Sequence, residues 1–152
     1  MPEAVYGHCL LAINTTHIFM TGGYAASGRT GATYIYTIAG GFKKQETLSP
    51  GRGYIDSSCA IYGQLVMVAG GSPTGTFFET FSLISMSWTH GTSLPVSTSG
   101  TALIFQSGSP VILSGHGNPN IYKLQNQSWT DVGDVPAKHH FPAILWKSCT
   151  NN

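Results

Sequence analysis

Three times along this chain a short apolar run stops at small residues. Ile18-Phe19-Met20-Thr21 ends at Gly22-Gly23, Leu65-Val66-Met67-Val68-Ala69 ends at Gly70-Gly71, and Val111-Ile112-Leu113 ends at Ser114-Gly115. Short runs rich in β-branched and other apolar residues predict strands buried on both faces, and glycines at their ends permit positive φ or close backbone approach.

The runs belong to a longer period. Prolines at 2, 50, 95 and 136 are separated by 48, 45 and 41 residues, and each glycine-ended run begins about 16 residues after its proline. A second landmark stands seven residues before the next proline: Trp88 before Pro95, Trp129 before Pro136, and Lys43 beside Phe42 before Pro50. Seven residues earlier again are Phe81, Tyr122 and Tyr36. Each interval therefore predicts four short strands: one after the proline, one ending at the glycines, one carrying the aromatic and one starting at the tryptophan. In the second unit these fall at about 54–62, 64–69, 77–84 and 87–93. Sheets this small bury little alone, so the expected solution is radial stacking of neighbours with the large aromatics between them.

Composition agrees with an all-β chain. Charged residues are 9% of the 152, and 19 are glycine, which leaves few of the Glu, Lys and Arg residues that cover helix surfaces. A net charge of +1 without a Lys/Arg cluster argues against nucleic-acid binding, and no apolar run is long enough for a membrane-spanning helix. Cys9, Cys59 and Cys149 show no zinc-site spacing. Cys9 and Cys59 are expected as buried free thiols in strands. Cys149 lies in the polar tail 148–152, where it is open to pairing with another chain.

A double glycine after an apolar run, an aromatic strand, then a tryptophan and a proline together resemble the kelch motif over residues 2–147. The resemblance implies a kelch-type β-propeller: three four-stranded blades at 2–49, 50–94 and 95–135, and the first strand of a further blade at 136–147. Propellers close with about four to eight blades, so a protein partner, further chain or self-association is expected to complete the ring. In intracellular kelch adaptors, the arginine after the proline and the residue after the double glycine line a peptide-binding mouth. The matching positions are Arg52, with Lys138 as a cationic substitute, and Tyr24. The resemblance does not extend to the tyrosine/histidine copper set of kelch-like oxidases.

Chemistry beyond that is sparse. Of six histidines, adjacent His139 and His140 point to opposite faces of any strand, so no metal site is expected. No Gly-x-Ser-x-Gly elbow occurs, and the six acidic residues, Glu79 among them, are scattered over different units. Arg29, in the glycine-rich loop 22–31, has the fork to receive a carboxylate beside Tyr24. His116 and Asn118, in the turn after Ser114-Gly115, make a candidate polar rim. Asn14-Thr15-Thr16 and Asn126-Gln127-Ser128 are sequons in predicted turns, so Asn14 and Asn126 are candidate glycosylation sites, and they lean the chain toward an extracellular setting. The expected function is non-enzymatic: a protein-interaction or structural assembly module with no cofactor. The alternatives are the substrate-recognition domain of an intracellular kelch adaptor and a carbohydrate-directed lectin or oxidase-like propeller.

Overall fold

A computed structural model describes residues 2–135 apart from Ser57, Thr74 and Gly117. The further strand expected at 136–147 lies outside the described residues, as do Lys138, His139, His140 and Cys149. The described chain is all β, with no helix, and forms three four-stranded antiparallel sheets. Sheet 1 holds β1 (Cys9–Ala12), β2 (His17–Thr21), β5 (Thr33–Thr37) and β6 (Gly41–Lys44). Between β2 and β5 a small hairpin, β3 (Tyr24–Ala25) with β4 (Gly28–Arg29), stands apart from that sheet. Sheet 2 holds β7 (Cys59–Tyr62), β8 (Leu65–Ala69), β9 (Phe78–Ser82) and β10 (Ser87–His90). Sheet 3 holds β11 (Ala102–Gln106), β12 (Ser109–Gly115), β13 (Asn118–Gln125) and β14 (Ser128–Asp134). The first strand of the second unit starts at 59 instead of about 54, because Gly53 to Ser58 are spent on the crossing between sheets.

Alternation along the strands builds two cores. Val66, Val68 and Phe81 of sheet 2 face Cys9, Phe19 and Ile35 of sheet 1, with Leu48, Ile55 and Trp88 closing the layer. The other face of sheet 2, carrying Met67, Ala69 and Phe78, meets Leu103 and Ile112 of sheet 3, with Leu94 and Trp129. β8 is thus buried on both sides, which is why four successive buried apolar residues stand in it without alternation. The first strands of the sheets, β1, β7 and β11, lie side by side.

Trp88 and Trp129 sit between sheets and are held in the same way. The Trp88 indole N–H donates to the Glu46 carbonyl at 3.1 Å, and that of Trp129 to the Thr92 carbonyl at 2.9 Å. Each acceptor lies two residues past the last strand of the preceding sheet. The seven-residue step from aromatic to tryptophan makes the two residues cross-strand partners only in sheet 2, where Phe81 pairs with Trp88. In sheet 3 Trp129 pairs with Leu124, and Tyr122 pairs with Asp131. In sheet 1 the residue across from Tyr36 is Phe42, not Lys43. Turn length is the cause: β13 and β14 join through a two-residue turn, Asn126-Gln127, with φ of 48° and 61°, whereas four residues separate β9 from β10.

Cys9 and Cys59 are not free thiols. They form a disulfide between β1 and β7, with Cα atoms 6.0 Å apart, inside the bridgeable range. Cys9 faces the next sheet and Cys59 the preceding one, so stacking brings together two residues 50 apart in sequence. At the next seam hydroxyls take this place: Ser58 Oγ donates to the Thr101 carbonyl at 3.0 Å and accepts from Thr101 N–H at 3.2 Å.

Candidate binding surface at the glycine-turn edge

An up-and-down order of strands sorts the connections onto two edges. One edge carries the short hairpin turns, including Asn14 and the Asn126-Gln127 turn. The other carries the glycine-ended turns and both crossings between sheets. The paired glycines serve that second edge in the same way twice. Gly23 N–H donates to the Arg52 carbonyl at 2.7 Å, and Gly71 N–H to the Thr98 carbonyl at 2.9 Å. Gly22 and Gly70, at φ of 70° and 67°, approach those same carbonyls so closely that an added Cβ would lie 2.7 and 2.5 Å from them. Positive φ and this close approach together require glycine there.

On this edge three tyrosines form a continuous platform. Tyr6 stacks on Tyr24 with centroids 5.2 Å apart, and Tyr54 tilts against the same ring at 5.1 Å. Tyr6 is 62% exposed and Tyr54 38%, so two of the three rings present area to solvent. The exposed Arg29 guanidinium lies 5.8 Å from the Tyr24 centroid, positioned because β3 pairs Tyr24 directly with Arg29 of β4. Burial acts to raise the Tyr24 phenol's pKa, but hydrogen bonds with Ser72 and Arg29 and the Arg29 charge outweigh it, so the phenol lies below its ordinary value.

Ser72 links the platform to a polar hollow of about 140 Å³ lined by Gly71, Ser72, Ser97, Thr98, Ser99 and His116. Thr98 Oγ1 is buried there without a hydrogen-bond partner. His116 is exposed at the rim, its backbone N–H donating to the Ser99 carbonyl at 2.9 Å. Asn118 begins β13 and is half-buried, and its Oδ1 accepts from Asn120 N–H at 3.1 Å. Of the residues singled out from sequence, Tyr24, Arg29 and His116 thus lie along one surface.

Arg52 does not join them. It is fully buried and ion-paired with Glu79 of β9, itself 1% exposed. The His90 imidazole adds a contact to the other Glu79 oxygen at 2.9 Å, and the Phe77 ring lies 5.4 Å from the guanidinium carbon. Burial pushes the Glu79 carboxyl above its ordinary value, while Arg52 and His90 pull the other way. Arg52 therefore joins the crossing after sheet 1 to the interior of sheet 2 and offers no group to a partner. Glu79 was legible only as one of six scattered acids, because its partner lies 27 residues away. The aromatic neighbours Tyr6 and Tyr54 were missed, although each stands four residues after a repeat proline, Pro2 and Pro50: an isolated backbone bridge brings Tyr6 to Tyr24, and the crossing between sheets brings Tyr54. Asn14 and Asn126 are exposed on the opposite edge, with Asn14 Oδ1 occupied in capping its own turn through Thr16 and His17 N–H groups, each at 2.9 Å.

In fold the chain is similar to YjhT. The solved structure of YjhT superposes with a TM-score of 0.69 at 13% sequence identity, over 90% of this chain and 53% of that one. The chain therefore spans about half the length of YjhT, and likeness at that identity shows a β-propeller-like arrangement of sheets and nothing of activity. The sequence matches no protein-family profile and no curated protein. Among the described residues no three His, Cys, Asp or Glu side chains gather as a metal site, and no helix is long and apolar enough to cross a membrane.

Proposed function

We propose that this chain is a non-enzymatic protein-interaction module, built as three blades of a kelch-type β-propeller, that docks an acidic segment of a partner protein on its glycine-turn edge. The observation carrying this reading is the Tyr6–Tyr24–Tyr54 platform with Arg29 over its central ring. Tyrosine supplies large contact area with few rotatable bonds, arginine is enriched with it at binding hot spots, and the guanidinium fork suits a carboxylate. The hollow reached through Ser72 offers hydroxyls and a rim imidazole to main-chain groups of the same segment. The three sheets with repeated glycine-turn and tryptophan contacts support the kelch reading, as does the likeness to YjhT.

The disulfide favours an extracellular module over an intracellular adaptor, since thiols stay reduced in most cytosols. The exposed sequon asparagines on the edge away from the platform are compatible with glycans that leave it uncovered.

Fluorescence anisotropy with labelled decapeptides, one Glu-rich and one with Gln in place of every Glu, tests the proposal. The Glu-rich peptide is expected to bind more tightly, and Arg29→Ala to erase that preference, a loss of about tenfold or more for a charge-assisted contact. Tyr24→Ala is expected to weaken both peptides. Equal affinity for the two peptides, or a preference that survives Arg29→Ala, would sink the reading.

A further inference from the structure

Sheet 2 and sheet 3 each bury one face against the sheet before them, and the positions doing so are in strict register. In sheet 2 they are Cys59, Val66, Val68, Phe81 and Trp88, where Cys59 pairs with Val68, Val66 with Phe81 and Phe81 with Trp88. Counting back from the first glycine, Ile18 and Met20 of sheet 1 occupy the places of Val66 and Val68. Their strand partners complete the set: Leu10 pairs with Met20, Tyr36 with Ile18 and Phe42 with Tyr36. Sheet 1 thus carries a full copy of the face that its successors bury, yet no described sheet covers it. Leu10 is 56% exposed, Ile18 and Phe42 37% each, and with His8, Met20 and Tyr36 they enclose an apolar hollow of about 510 Å³. Burial pushes the His8 imidazole below its ordinary pKa against the pull of Asp56, which favours an uncharged ring at this face.

The opposite end of the stack carries the matching half. The outgoing face of sheet 2 presents Ala60, Met67, Ala69 and Phe78, linked by the pairs Ala60–Met67 and Ala69–Phe78. By the same register, sheet 3 presents Ile104, Val111, Leu113 and Ile121, linked by Ile104–Val111 and Leu113–Ile121. All four are apolar, and Ile104, Leu113 and Ile121 are half-buried, not fully covered.

We infer that the sheet 1 face receives the sheet 3 face of a second copy of this chain, head to tail. The argument is continuity: the two inter-sheet interfaces within the chain already join an outgoing face of this kind to an incoming face of this kind. Head-to-tail contacts close into a ring when the rotation per unit permits, and the described residues of two copies supply six four-stranded sheets, within the ~4 to 8 at which such rings close. The inference rests on the propeller part of the proposed function for ring closure and not on the tyrosine platform.

Light scattering on the full chain, with its concentration dependence, tests it. The expected mass is that of a dimer, twice the 16.1 kDa of one chain. Ile18→Arg and Leu113→Glu, at partly exposed positions on the two faces, are each expected to abolish the closed dimer while circular dichroism stays unchanged. Mixed in equal amounts they are expected to associate again, because the first retains an intact sheet 3 face and the second an intact sheet 1 face. A wild-type monomer at all accessible concentrations would overturn the inference, leaving the face to some other occupant. A Leu113→Glu chain that still dimerises would overturn it too, because two sheet 1 faces would then be meeting each other. Arg29→Ala is expected to leave the mass unchanged, so failure of the platform reading and failure of this one are separable.

Discussion

At the scale of single residues, the buried pair Arg52–Glu79 is the least compensated feature of the interior. Arg52 Nε and Nη1 are buried without hydrogen-bond partners, so the guanidinium relies on one carboxylate and the Phe77 ring. Removing one partner leaves a desolvated charge, and Arg52→Met is expected to destabilise the fold by about 3–5 kcal/mol. Replacing both, Arg52→Met with Glu79→Leu, is expected to restore most of that loss, because neither charge then has to be desolvated. Urea unfolding midpoints of the two single variants and the double variant check this. A double variant as unstable as the sum of the singles would mean that the pair contributes shape or loop geometry and not charge compensation. The same residue illustrates what sequence can mislead about. Its place after Pro50-Gly51 matches a family position at a binding mouth, but only the stacking of sheets decides whether an arginine at that crossing turns outward or inward.

At the scale of elements, the seams between sheets differ in kind. The first is covalent through Cys9–Cys59, the second is made by Ser58 and Thr101. Closing a loop of this length in the unfolded chain corresponds to about 4 kcal/mol in the chain-entropy account. Cys9→Ala with Cys59→Ala, or reduction, is therefore expected to lower unfolding stability by about 2–4 kcal/mol. Denaturant titration with and without reductant measures it, and indifference to reductant in the wild-type chain would argue that the two sulfurs are not bonded in solution. Nothing in the spacing of Cys9 and Cys59 announced the bond. One cysteine points forward along the stack and the other backward, and that direction is set by strand register, which each strand's own sequence leaves two-fold ambiguous. Strand identity was far more legible. The glycine-ended runs became β2, β8 and β12, and Trp88 and Trp129 fell on β10 and β14, because period and turn residues are local properties. The aromatic step to the tryptophan was not, since it depends on how many residues each hairpin turn consumes.

At the scale of the whole molecule, stability is distributed along a stack in which each sheet leans on its neighbours. β8 has sheets on both sides and is buried along nearly its whole length, whereas β14 exposes nearly every residue. Amide hydrogen exchange is expected to be slowest in β8, next in β2 and β12, and fastest among strands in β14. Uniform exchange across the three sheets would instead mean one cooperative unit with no gradient from centre to ends.

The sequence by itself determined that the chain is β, that it repeats, where its turns lie and that Phe81, Trp88 and Trp129 would lie between sheets, whereas Tyr36, Phe42 and Tyr122 do not join those layers. These follow from local rules: apolar periodicity, the conformational freedom of glycine and the size of aromatic rings. Only the tertiary structure decided that Cys9 meets Cys59, that Arg52 turns inward to Glu79, that Tyr6 and Tyr54 gather around Tyr24 and that no sheet among the described residues covers one apolar face of sheet 1. Each of these joins positions on different sheets or crossings, and contacts of that kind are set by stacking direction and register, which no local pattern encodes.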